Sequence, residues 1–193
     1  MNISTTFDLY LTDYLLPKVS EVSFKNRVFC LFAMTYISIF KLPRKFLINY
    51  FRGNGKEMVI ESKKLIISNH VVFNKIFEEI SDSINKGLTK GSINICQTDV
   101  YEPNFRYSIG SFTIYYSLNG ESIEINVKSD YNFKSYPERL TKYLHSWLYS
   151  MSIKGYAMNF KIRGNSWTTS FSELASTKES NKPKRIPKNT YVY

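Results

Sequence analysis

Two runs of alternating side chains, Phe112-Thr113-Ile114-Tyr115-Tyr116 and Ile123-Glu124-Ile125-Asn126-Val127, flank Asn119-Gly120. Alternation sends successive side chains to opposite faces of an extended chain, and aromatic and β-branched residues suit its pleated surface. An Asn-Gly pair between two such runs tolerates the positive φ of a type I′ turn. The chain is therefore committed to an antiparallel hairpin, and its other segments must supply the layer that covers the apolar face.

Helices are the available cover. Phe73, Ile76, Phe77, Ile80 and Ile84 recur at three and four residues, with Ser68 or Asn69 placed to cap the start and Gly87 the end. Leu140, Tyr143, Leu144, Trp147, Leu148 and Met151 form a second apolar stripe, opened by Ser135 and Glu138 at capping-box spacing and closed by Gly155. Strands are expected over 57–67, around Ile93 and Ile95, and through Tyr156, Met158, Phe160 and Ile162. Gly164-Asn165 then turns the chain into Trp167, Thr169 and Phe171. The result is an α+β fold: a mainly antiparallel β-sheet with two amphipathic helices packed on it, preceded by an apolar helical N-terminal segment. The divisions are 1–50, helical and partly apolar; 51–172, the α+β domain; and 173–193, a basic tail expected to be disordered, with Lys182, Lys184, Arg185 and Lys188 among prolines.

At 193 residues and 43% hydrophobic content the chain can bury the core of one main domain. Its 15 Tyr and 14 Phe exceed what such a core takes up, so aromatic rings are expected at a surface, an interface or a lipid boundary. A formal net charge of +10 favours anionic partners, whether phosphate backbones, acidic lipid head groups or pyrophosphates. Cys30 and Cys96 lie far apart with no His or Cys at ligand spacing, which disfavours a disulfide framework or a zinc site and leaves two buried thiols. The opening residues lack the pattern of a cleavable secretory signal.

Residues 28–40 carry no charge, and Lys25, Arg27, Lys41, Arg44 and Lys45 flank them. A helix of that length spans roughly 20 Å against the roughly 30 Å hydrocarbon layer, so it is too short to cross a bilayer. Two readings are open. One is a helix lying at an anionic membrane face, with Phe29, Phe32, Ile37 and Phe40 as its contacts; the other is a core helix with solvated ends.

The chemistry narrows by exclusion. His70 and His145 are the only histidines, no serine stands in a Gly-x-Ser-x-Gly elbow, and no glycine-rich loop cradles phosphate. What remains is the end of the second hairpin strand. If Ile125 and Val127 face the core, Asn126, Lys128 and Asp130 share the other face, where Asp130, Tyr131 and Asn132 can meet Arg139 from the following helix. Asp130 could hold a divalent cation or act as general base, and Arg139 could grip a phosphate oxygen. Alternatively, Asp130 and Asn132 satisfy a turn and Arg139 pairs with Asp130.

Residues 50–171 resemble the C-terminal toxin domains of bacterial polymorphic toxins and colicin M-type bacteriocins. The matching motifs are Phe51-Arg52-Gly53-Asn54-Gly55, Ile109-Gly110-Ser111-Phe112, and Ser129-Asp130-Tyr131-Asn132-Phe133 followed by Arg139. The resemblance implies Mg2+-dependent cleavage of the lipid II pyrophosphate linkage, delivery to the periplasm of a target bacterium, membrane association and a cognate immunity protein as partner. Tyr131 and Arg139 match the family pattern. Ser129 and Asn132 stand where the family has carboxylates and Glu138 where it tends to have His, so either Asp130 has taken the metal-holding role or the chain is not that phosphodiesterase. Two other readings stand beside it: a non-catalytic protein that binds a membrane or a partner, and a nucleic-acid binder. The last is disfavoured because no binding motif is present and the basic residues are scattered outside the tail.

Overall fold

The computed structural model describes residue 28, residues 40–132 and residues 148–180. Along them run α1 (Lys41–Arg52), β1 (Met58–Ile60), α2 (Ser62–Ile67), α3 (His70–Asn85), β2 (Lys90–Ile95), α4 (Pro103–Arg106), β3 (Phe112–Asn119), β4 (Ser122–Tyr131), β5 (Phe160–Gly164), β6 (Trp167–Ser170) and α5 (Phe171–Ser180). Residues 148–153 are also helical. The fold is α+β with a mostly antiparallel, six-stranded sheet. β2, β3 and β4 form an antiparallel meander, β5 and β6 both pair with the other edge of β4, and β1 lies outside β5 and parallel to it.

The alternation read in the hairpin sets which face is covered. Ile123, Ile125, Val127 and Tyr131 of β4 are buried beside Phe46, Leu47 and Tyr50 of α1, Phe73, Ile76 and Ile80 of α3, and Leu148 and Met151. Glu124, Asn126, Lys128 and Asp130 point the other way. The turn is displaced by one residue from the expected position. Asn119 pairs with Ser122, so Gly120 and Glu121 form the loop. Only Gly120 has positive φ, which is the type II′ arrangement rather than type I′.

α3 follows its apolar spacing through Phe73, Ile76 and Ile80, whereas Ile84 is exposed, and the helix ends in a Schellman motif. Gly87 takes φ of 67°, and the Leu88 and Gly87 N–H groups donate to the Ser83 and Ile84 carbonyls at 2.9 and 3.1 Å. Its start differs from the expected cap. Asn69 is fully buried and makes no cap bond; its Nδ2 donates to the Leu65 carbonyl, and its Oδ1 accepts the Tyr101 and Glu102 N–H groups at 2.8 Å. One amide thereby ties the α2–α3 bend to the turn before α4. Tyr116 reaches α3 across Gly91, where any Cβ would collide with its ring, and its hydroxyl meets Ser83 Oγ at 2.6 Å.

Several boundaries are corrected. The strand expected over 57–67 is only β1, and Ser62–Ile67 turns helical with Leu65 and Ile66 buried. The division at residue 50 cuts through α1, whose apolar face belongs to the main core. The tail expected from 173 is helical to Ser180, anchored by buried Leu174, by Phe171 stacked on Phe77 and by Lys178 over the Phe77 ring. Cys96 is exposed rather than buried. Leu148 and Met151 of the second predicted helix are buried and Gly155 ends it with φ of 75°; residues 133–147, with the rest of that stripe, lie outside the described residues.

The Gly164-Asn165 step is not a hairpin turn. Lys128 pairs with Arg163 and Ile125 with Trp167, so three residues, 164–166, oppose two on β4: a β-bulge that lays β5 and β6 end to end. The extra residue, left out of the ladder, bonds on its other side. Asn165 donates its N–H to the Ile60 carbonyl, accepts the Ser62 N–H on Oδ1 at 2.8 Å and accepts the Ser62 hydroxyl on its carbonyl at 2.6 Å. Gly164 is required here, since a Cβ would meet Ser62 Oγ and stand 2.9 Å from Val127 Cβ.

Because Ser62 is fully buried, Ser62→Ala leaves the Asn165 carbonyl without its donor. A loss of about 1–3 kcal/mol is expected in urea denaturation. A second expectation concerns Asp99, which pairs with Lys75 at 2.8 Å and accepts the Cys96 N–H; the Lys75 hydrogen bond holds its carboxyl below the ordinary value. A depressed carboxyl stabilises above its unfolded pKa and stops doing so as pH falls through the folded one. Asp99→Asn should lower the melting temperature at neutral pH, with the gap to the parent closing in acid.

Candidate functional site

Four side chains, Asp130, Tyr131, Asn132 and Arg139, were expected to converge after β4, and the described residues include the first three. β4 runs on through Tyr131, so Asp130 is an exposed strand residue in register with Lys161 of β5. Tyr131 faces the core. Its ring stacks on Phe160 at 4.6 Å and meets the edges of Phe46 and Tyr50 at 5.4 and 5.8 Å, and burial pushes its phenol up from the ordinary value. A phenol so placed fills the core and does not open onto a cleft beside Asp130. Asn132 is exposed, and Arg139 lies outside the described residues.

Among the described residues, Asp130 has no further carboxylate beside it with which to complete a site for Mg2+. A hard cation of this kind takes about six oxygen ligands, carboxylates foremost. Asp130 instead has Lys128 and Lys161 as its neighbours on the open face, and no metal-holding group of three His, Cys, Asp or Glu exists among the described residues. The other carboxylate of this face, Glu124, is engaged by Ser166 Oγ at 2.6 Å and by Asn126, which hold its pKa down.

A second surface lies across the molecule, at the start of α1. The sequence KLPRKFLINYFR buries Phe46, Leu47, Tyr50 and Phe51 and exposes Lys41, Arg44, Lys45 and Arg52, with no carboxylate anywhere in the helix. Lys41, Arg44 and Lys45 form no ion pair with the described residues. They occupy the positive end of the helix macrodipole, where each cation costs about 0.3–1 kcal/mol. Phe40, at the N-cap, supplies no side-chain cap and puts its ring 5.2 Å from Tyr107, just beyond α4. Exposed Tyr107, Arg106 and Tyr101 extend this surface, and His70 stacks on Tyr101 at 5.5 Å.

Of the expected membrane contacts, Phe40 thus lies half-buried at the entrance to α1, and Phe29, Phe32 and Ile37 lie outside the described residues. No helix among the described residues is long and apolar enough to cross a membrane. The aromatic surplus divides between the Phe46, Tyr50, Tyr131 and Phe160 cluster inside and Tyr101, Tyr107, Tyr115 and Tyr149 outside. The cations at 41, 44 and 45 were legible as the flank of an apolar run; their place on one helix face beside Tyr107 was not.

Among known proteins, no family model, no curated sequence and no solved structure matches the chain.

The two junction residues should separate cleanly in thermal or urea denaturation. Tyr131→Ala removes the centre of an aromatic cluster and should cost about 3–5 kcal/mol. Asp130→Ala, on the exposed face, should stay within about 0.5 kcal/mol of the parent.

Proposed function

We propose that the protein docks onto an anionic membrane surface through the start of α1 and the adjoining tyrosines, as a binding protein rather than through the chemistry of the β4 junction. One observation carries this reading. Lys41, Arg44 and Lys45 sit at the N-terminus of a helix that has no side-chain cap and no carboxylate of its own, and none of the three pairs with a carboxylate among the described residues. An approaching phosphate or acidic head group would relieve the unfavourable cation–dipole interactions at the first turn of α1. Tyr107 and Tyr101 suit the head-group layer, since each has an apolar ring and a polar tip. The uncharged stretch 28–40 leads directly into this surface.

Polybasic docking is worth about 1 kcal/mol per cation near an acidic leaflet. Losing the three cations should therefore weaken binding about a hundredfold, and reversing them to Glu should weaken it further. Co-sedimentation with vesicles containing phosphatidylglycerol tests this. Parent protein should bind at low salt and release as salt rises, while Lys41→Glu/Arg44→Glu/Lys45→Glu should fail to bind and still melt cooperatively. Equal binding by both proteins, or binding insensitive to salt, would overturn the reading.

Within it, the envelope-directed toxin role implied by the family resemblance is the cellular function to test. Killing of a sensitive bacterium only after export to the periplasm supports that role, and harmless expression in both compartments removes it.

A further inference from the structure

The face of the sheet turned away from the helices has charges placed in a way that its own folding does not require. Lys128 on β4 and Arg163 on β5 are direct register partners on that face. Like charges at opposed strand positions repel, and a sheet normally sets opposite signs there. Neither forms an ion pair with the described residues, and Lys161 lies one step along on the same face, also unpaired. Among the described residues, Asp130, in register with Lys161, is the one carboxylate beside this group; Glu124, further along β4, is held by Ser166 and Asn126. Three cations against one acid leave a surplus of two charges beside the middle of the sheet.

Next to the cations lies an aromatic surface. Tyr115 of β3 is 43% exposed, and Lys128 Nζ sits 5.1 Å from the centre of its ring. Beside it a shallow depression of about 420 Å³ is lined by Tyr115, Asn126, Ser92 and Lys90 among others. Asn126 pairs with Tyr115 across the ladder, and Asn94 and Thr113 continue the row begun by Arg163 and Lys128.

We propose that this uncovered face binds single-stranded nucleic acid, with a phosphate bridging Lys128 and Arg163 and a base stacked on Tyr115. A phosphate between the two cations removes their repulsion, and a base on the ring takes the place that Lys128 now covers. Asn94 Oδ1 is taken by the Thr113 hydroxyl and Asn126 Nδ2 by Glu124, which leaves the Asn94 Nδ2 donor and the Asn126 Oδ1 acceptor for base edges. A flat sheet carrying an exposed ring, flanking cations and amides suits an unstacked strand better than a duplex, whose bases are already buried. The basic residues, scattered in the sequence, are brought together here by strands some 35 residues apart (Lys128 and Arg163).

Fluorescence anisotropy of a labelled thymidine oligonucleotide of about 15 nucleotides, with the full chain, tests the proposal. Tyr115→Ala should weaken binding about tenfold or more, and Tyr115→Phe should restore it. Arg163→Gln should make the log–log salt dependence shallower by about 0.7, the loss of one phosphate contact. Both sites are exposed, so far-UV circular dichroism of the variants should match the parent. The Lys41→Glu/Arg44→Glu/Lys45→Glu variant should keep its Tyr115 dependence, which separates this face from the α1 surface. Absent binding at low salt, binding unchanged by Tyr115→Ala, or vesicle binding abolished by Arg163→Gln would each overturn it.

Discussion

Hydrogen bonding along both edges of β4 is the constraint on which the rest of the molecule depends. β3 pairs with it from Ser122 to Lys128, while β5 and β6 share its other edge. A strand held on both sides cannot slip, because a one-residue shift would expose its whole apolar set. The helices therefore meet one fixed row, Ile123, Ile125, Val127 and Tyr131. The same register fixes what remains outside, so the polar face is as well defined as the core.

The interior and the surface follow different rules. Inside, among the described residues, no buried side-chain polar atom lacks a partner. Asn69, Ser62 and Tyr116 each close a junction that backbone bonding leaves open. Outside, two local preferences are broken: cations occupy the positive end of α1, and Lys128 faces Arg163. Sequences that are consistent at every other level break such rules chiefly where a partner supplies the compensation. Both departures have the same sign, and they are the surfaces proposed above to meet an anion.

Much of this fold could be read before any coordinates, for physical reasons that differ by element. The hairpin and α3 were legible because period two and period 3.6 are local signals, and Gly87 and Gly155 marked helix ends through the φ they permit. Residues 65–67 deceived because a short apolar run fits a strand or a buried helix equally well. Residues 173–180 deceived in the opposite way: a polar segment became helical through Leu174 and the contact of Phe171 and Lys178 with Phe77, none of which is local. Tyr131 was misplaced for the same reason. Its neighbour Phe160 lies far along the chain, and only that stacking shows that β4 continues inward. The candidate surfaces were the least legible part, since charge opposition across a ladder exists only once the strands are paired.

The bulge at 164–166 has a consequence for how this chain tolerates change. Phe160, Ile162 and Gly164 are buried at even positions, whereas Trp167 and Thr169 are buried at odd ones. The additional residue is what reverses the parity. Deleting any one of the three would restore a regular ladder with Trp167 still opposite Ile125 and still facing the core, but it would remove the extra residue through which the bulge reaches Ile60 and Ser62. What the extra residue supplies is therefore a tie between sheet and helix layer rather than the facing of Trp167: a shortened connection should keep the same sheet face buried and loosen the start of α2, where Ser62 loses its partner.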